Sequence, residues 1–170
     1  FKNNFFFGNK VQILRYSSDI DKYFKHKKRD KKENLKLLFA NRLTEIYNPL
    51  FAIDLMNKLV KKYPYIKLYL NSRGELRNDC ERKINLLGLN SNIVFLDNIK
   101  SWNDLHKVYE KCHVLILPAN FSNGNMSIIE AMASGMGLVI SNNVKGHSKM
   151  LKSKENCFIS DLRLNNFTKY

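Results

Sequence analysis

The sequence is short of acid. Its 170 residues hold 15 Asp and Glu against 29 Lys and Arg, for a formal charge of +14. A carboxylate set among small uncharged residues therefore calls for an explanation. Cysteine is also scarce: Cys80, Cys112 and Cys157 are odd in number, far apart and without a CxxC pair. That pattern excludes a disulfide framework and a zinc site and fits a reducing cytosol, so each cysteine is expected as a small buried hydrophobe and no metal is expected. No apolar run approaches the roughly 18 residues of a membrane span. The opening "FKNNFFFGNK" has aromatics but no apolar core of a signal peptide. A soluble, cytoplasmic chain is expected. No "GFGFV"-like element of an RNA-binding sheet occurs, so nucleic acid is not an expected partner. There is no internal repeat, and the chain starts at Phe1 rather than Met. We read it as a domain cut or processed from something longer.

What is present is globular in composition, 44% hydrophobic and 26% charged, with enough length for one cored domain. The positive charge gathers in "KYFKHKKRDKKENLK", Lys22 to Lys36, which has eight Lys or Arg against two acids. Such a run is either a solvated linker or an attachment point for an anionic surface or phosphorylated ligand. Residues 1–34 are read as an entry segment and basic linker, and 35–170 as the folded domain.

From Leu35 onward, short apolar runs alternate with amphipathic ones. "LKLLFA" (35–40), "IKLYL" (66–70), "NIVFLDNI" (92–99), "HVLILP" (113–118), "GLVIS" (137–141) and "NCFIS" (156–160) read as strands. Between them, 48–63 carries helical stripes of Phe51, Leu55, Leu59 and of Ala52, Met56, Val60, with Pro49 in its first turn. Leu76, Cys80, Ile84 and Leu87 mark a second helix ended by Gly88, and 102–112 a third. This alternation predicts an α/β fold: a doubly wound, Rossmann-like parallel sheet flanked by helices, with its ligand beyond the carboxyl ends of the strands.

Two strand ends carry chemistry. After "HVLILP" comes "NFSNGNMSIIEAMASG", a loop with Gly124 and then a helix whose free N–H groups favour an anion. Ser127 to Glu130 matches the S-x-x-E capping box, so Glu130 is either a helix cap or a hydroxyl ligand. Gly135 suits the end of that helix. After "LKLLFA", Arg42 is placed either on the surface or over the same edge, where a guanidinium suits a pyrophosphate.

Residues 35–141, with their "NRL", "KKYPYIKLYL", "NIVFLDNI", "HVLILP" and "EAMASG", resemble the C-terminal domain of GT-B-fold, family 4-type retaining glycosyltransferases. "YSSDIDKYFK" and "ENCFIS" extend the likeness to nearly the whole chain, and "EAMASG" with its flanks is the specific part. The resemblance implies the C-terminal half of a GT-B fold that binds a UDP- or GDP-sugar. It implies a missing N-terminal domain with the acceptor site and the remaining catalytic groups, so that this half alone turns over little or nothing. Carried over by position, Glu130 holds the ribose hydroxyls and Arg42 the phosphates. Asn123, Gly124, Asn125 and Met126 face the donor sugar and phosphates, and Ile99 and Lys100 line the base pocket. Two positions depart. Ser122 stands where the family has the first acid of its E-x7-E motif, and Tyr47 falls near the place of a phosphate-binding lysine. The implied role is polysaccharide, lipopolysaccharide or capsule assembly at the inner face of a membrane. The Lys22–Lys36 run then meets an anionic surface there. The departures leave a non-catalytic GT-B-derived module as the alternative, and the charge alone motivates a basic nucleic-acid-binding domain.

Overall fold

A computed structural model describes residues 20–24, 34–99, 101, 104–146 and 150–168. Six parallel strands form one sheet: β1 Lys36–Phe39, β2 Lys67–Leu70, β3 Ile93–Phe95, β4 Val114–Leu117, β6 Gly137–Ser141 and β8 Phe158–Ser160. Their order is β3-β2-β1-β4-β6-β8, with Leu37 opposite Leu68 and Val114, and Leu115 opposite Leu138. The chain works outward from β1 to one edge, returns to β1, and then builds the other half. The result is a doubly wound sheet, the fold class the alternation predicts.

Period-two geometry, with a core layer on each face of the sheet, explains why the middles of the strands are apolar at successive positions. Leu38, Leu115, Leu117, Leu138 and Ile140 face one core layer. Leu37, Phe39, Leu68, Leu70, Ile116 and Val139 face the other. Helices α1 Pro49–Leu59, α2 Arg77–Leu86 and α5 Leu164–Phe167 cover the second layer. Helices α3 His106–Tyr109 and α4 Met126–Ala133 cover the first, joined by a 3-10 turn at Ile20–Tyr23 that packs on α4.

Several elements are shorter than their sequence patterns. Helix α1 stops at Leu59 because Pro64 lies just ahead and disfavours a helical Tyr63. Ile53, outside the predicted stripes, is fully buried because α1 packs on α2 and α5 as well as the sheet. Strand β3 keeps only three of its eight predicted residues. Helix α3 tightens at its end, where the Cys112 N–H reaches the carbonyls of both Val108 and Tyr109. Gly135 does end α4: at φ 64° it closes a Schellman turn, with Gly135 N–H to Met132 O and Met136 N–H to Ala131 O. Gly88 follows α2 in the same way. Cys80, Cys112 and Cys157 are buried thiols outside any disulfide, and burial pushes the Cys80 thiol up to about 11. Among the described residues no helix is long and apolar enough to cross a membrane.

Candidate functional site

The strand order reverses between β1 and β4, so the loops that leave their carboxyl ends diverge and open a crevice. A cleft of about 370 Å³ lies there. Ala40, Asn41, Arg42 and Tyr47 line it from the loop after β1. Gly124, Asn125, Met126, Ser127 and Glu130 line it from the loop after β4 and from α4. Leu105 and Tyr109 close the α3 side.

Side-chain amides fasten these loops. Asn71, buried at the end of β2, donates to the Ala40 carbonyl at 2.7 Å and accepts from the Arg73 N–H at 2.8 Å. Asn120 joins the two loops of the crevice, through its backbone N–H to Ile46 O at 2.8 Å and its amide to Glu45 O at 2.7 Å. Ser127 Oγ lies 2.6 Å from Asn125 Oδ1 and 3.1 Å from Asn41 Oδ1, which ties α4 to the loop after β1.

The start of α4 departs from the capping-box expectation. Its N-cap is Asn125, with φ −104° and ψ 119°, and Asn125 Oδ1 accepts from the Ser127 N–H at 3.1 Å. Ser127 is thus already inside the helix, and Glu130 sits two positions too late to reach back to the cap. Asn125, buried against Ser122 and Ser127, supplies the cap two residues earlier.

The loop itself is stiffened by a ladder that no apolar pattern announced. Ser122–Asn123 (β5) pairs in parallel with Val144–Lys145 (β7). Ser122 is buried there, and its Oγ lies 3.5 Å from the Asn125 amide; it does not line the cleft. Asn123 is exposed beside it and also lies outside the lining. Gly124, at φ 81°, turns the chain from β5 into the cleft.

Glu130 is held from the α3 side. Its Oε2 accepts from the Tyr109 hydroxyl at 2.8 Å, and the Tyr23 hydroxyl bonds the same carboxylate. The two rings meet edge to face, 5.1 Å apart at 86°. Burial raises the Glu130 pKa above its ordinary value, opposed by the hydrogen bonds from Tyr109 and Tyr23. Burial first, and then the neighbouring Glu130 charge, holds the Tyr109 phenol well above the usual range. Glu130 enters no salt bridge among the described residues.

Arg42 is exposed at the opposite lip and pairs with none of the described carboxylates. It shares the cleft with the N-terminus of the eight-residue α4, so positive potential comes from both walls. Tyr47 lines the cleft near Arg42, and no described lysine does. Ile99 sits in a small adjoining hollow with Asn71, Arg73 and Leu96, which meets the cleft at Leu105. Lys100 lies outside the described residues. Arg77 is committed elsewhere: it binds Asp97 at 2.8 and 3.2 Å and stacks on Phe95.

The cleft therefore brings Arg42, Gly124, Asn125, Met126 and Glu130 together, leaves Ser122 and Asn123 behind them, and sets Ile99 alongside. Sequence reasoning missed Asn41, Tyr109 and Tyr23. Asn41 follows directly on a buried strand, and Tyr109 is a phenol on an apolar helix face whose hydroxyl needs a partner. Both were usable signals. Chemically, the arrangement fits a ligand with an anionic group at one end and paired hydroxyls at the other.

Comparisons with known proteins bear on the family and the fold. A family model described as "Glycosyl transferases group 1" matches residues 19–164. An uncharacterized glycosyltransferase of Methanocaldococcus jannaschii is 28% identical over 120 residues, covering 71% of this chain and 30% of that protein. The chain spans about a third of the length of the curated relatives it matches. Among solved structures, the C-terminal domain of a glycosyl transferase group 1 family protein, LpcC from Francisella tularensis, superposes with a TM-score of 0.66 at 17% identity, covering 75% of this chain and 67% of that one. A mutant of S. aureus TarM, solved with fondaparinux, alpha-GlcNAc-glycerol and UDP, gives 0.74 at 18% identity, covering 95% of this chain and 32% of that one. The shared fold is the Rossmann-like half of GT-B glycosyltransferases.

Proposed function

The chain belongs to the glycosyl transferases group 1 family, and we propose that it is the donor-binding half of a retaining hexosyltransferase. The observation that carries this reading is one cleft with a carboxylate outside any described salt bridge, Glu130, on one wall, and Arg42 with the α4 N-terminus as its sources of positive potential. A UDP- or GDP-sugar has the matching ends. Glu130 accepts from the ribose hydroxyls. Arg42 and the backbone amides of Gly124, Asn125 and Met126 hold the diphosphate, and Ile99 and Lys100 border the base. Ser122 and Asn123 act at one remove, by holding the loop that presents those amides. That a relative was solved with UDP supports the choice of ligand.

The chemistry that follows is electrostatic. Breaking the sugar–phosphate bond leaves negative charge on the diphosphate, and a fixed guanidinium and oriented amides stabilise that charge as it develops. The co-substrate is the nucleotide sugar itself, and this reading calls on no metal, because Arg42 and α4 supply the positive potential. The acceptor and its groups are assigned to a further domain, so the chain alone binds donor weakly and transfers little. Calorimetry with UDP and GDP tests the assignment: Arg42→Ala and Glu130→Ala are each expected to weaken binding roughly tenfold. Unchanged affinity in both would remove it.

A second reading, a GT-B-derived module without catalysis, draws on Tyr47, which lines the cleft where the resemblance expects a lysine. Transfer or hydrolysis of any nucleotide sugar by the full-length protein rules that out. The proposed setting is polysaccharide assembly at the cytoplasmic face of a membrane, with the Lys22–Lys36 run on anionic lipid. Vesicle binding that survives neutralisation of Lys27, Lys28, Lys31 and Lys32 would dismiss the membrane contact.

A further inference from the structure

Two tyrosine hydroxyls converge on Glu130, the one carboxylate that lines the cleft among the described residues. Tyr109 is fully buried under α4 and bonds Glu130 Oε2 at 2.8 Å. Tyr23 comes from the 3-10 turn ahead of the sheet, is 7% exposed, bonds the same carboxylate and braces Tyr109 edge to face. We propose that Tyr109 and Tyr23 are the positioning residues of the site, fixing the Glu130 carboxylate so that its remaining acceptor sites meet two adjacent ribose hydroxyls. The proposal rests on the reading of Glu130 as the ribose ligand.

The stoichiometry favours it. A carboxylate offers about four lone-pair sites, and a phenol donates one hydrogen. Two phenols take two sites and leave two, the number a vicinal diol needs. The choice of donor matters as well. An arginine or lysine in place of the tyrosines would neutralise the carboxylate and bind it bidentately, in competition with the ligand. Phenols support the ionised form against desolvation without supplying a countercharge. Their rings also lock the geometry: both lie in the core cluster beneath α4, so neither hydroxyl can swing away without opening that layer.

A structural role and a positioning role separate in the hydroxyls. Tyr109→Phe and Tyr23→Phe keep the rings and remove only the donors. The experiment measures binding of UDP, 2′-deoxy-UDP, GDP, 2′-deoxy-GDP and inorganic pyrophosphate to the chain and to each variant, with melting curves to establish folding. For whichever ribonucleotide binds, each variant is expected to lose affinity roughly 5- to 20-fold, while the deoxy form and pyrophosphate stay within about twofold. The preference for ribose therefore collapses. A variant that folds but keeps the wild-type ribose preference overturns the proposal. So does one that loses pyrophosphate in step with the nucleotide, since that is general damage to the cleft. Glu130→Gln separates the two levels of the argument. If it abolishes ribose preference while both Tyr→Phe variants keep it, Glu130 is the ribose ligand and the tyrosines do not position it. If Glu130→Gln leaves the preference intact, the ribose assignment itself falls, and the proposal with it.

Discussion

A Cβ atom on Gly146 would lie 2.6 Å from the backbone nitrogen of Gly124. The end of β7 is thus pressed against the turn that carries the loop amides into the cleft, and both glycines hold positive φ, 80° and 81°. Gly146→Ala meets backbone rather than a yielding side chain, in a conformation alanine rarely adopts. We expect it to destabilise the chain by about 1–3 kcal/mol. UDP or GDP affinity should fall further than stability does, because the displaced backbone is Gly124 itself. Thermal melts alongside calorimetry check this; full affinity in a folded Gly146→Ala variant would detach the β5–β7 ladder from the site.

Glu130 sets function against stability. Its folded pKa is raised by burial, so between the ordinary carboxylate value and that raised value the folded state binds more protons than the unfolded one. Stability from this group is therefore full below the ordinary value and lost as pH climbs through the raised one. Glu130→Gln, fixed in a neutral form, should melt higher than wild type at neutral pH. The gap should close in acid, where wild-type Glu130 is protonated in both states. A gap that widens on acidification would mean that burial is not the leading influence on this carboxylate.

Asn125 is the cap of α4 and a wall of the cleft at once. Asn125→Ala should cost about 1 kcal/mol of stability through the lost cap. Asn125→Asp should recover the stability, because a carboxylate caps as well. It should still bind pyrophosphate worse than wild type, since it adds a negative charge where the ligand is anionic. If Asp restores both, the helix start is not where the phosphates sit.

Tyr47 offers a gain-of-function test. Tyr47→Lys places a second cation beside Arg42, and an anionic ligand in the cleft should then bind more tightly and with steeper salt dependence. An increase of roughly threefold to tenfold in pyrophosphate affinity at low salt is expected, corresponding to about 1 kcal/mol for a partly exposed pair. No increase would place the phosphates away from this lip.

Arg77 ties α2 to the β3 edge. Its guanidinium bonds Asp97 twice and lies 3.5 Å over the Phe95 ring. Arg77→Lys keeps the charge and loses both the fork and the stack, and should lower stability by roughly 1 kcal/mol as read from chemical denaturation. An unchanged midpoint would show the pairing to be solvent-screened decoration.

How much of this was legible follows from the kind of information each feature needs. Strands β1, β4 and β6 could be placed within a residue or so, because "KLLF", "VLIL" and "GLVIS" are buried on both faces and so carry no polar alternation. Alternation gave the strand ends as the ligand side, but the reversal of order between β1 and β4 is set by how the strands pair. The joint placement of Arg42 and residues 123–130 was implied only by the resemblance. The cap was misplaced because S-x-x-E is a local pattern, whereas Asn125 wins by being buried against Ser122 and Ser127, which depends on how the loop returns to the sheet.

What the sequence determined by itself is the sheet, its layers and the edge on which a ligand must lie, since hydrophobic periodicity and glycine-ended helices are properties of neighbouring residues. What only the tertiary structure decided is the company Glu130 keeps. Tyr109 is 21 residues away along the chain, and Tyr23 lies before the first strand. No spacing rule links them. They meet because α3 and the 3-10 turn pack against α4, where a buried phenol needs a hydrogen-bond partner and the half-buried carboxylate at the cleft edge supplies it.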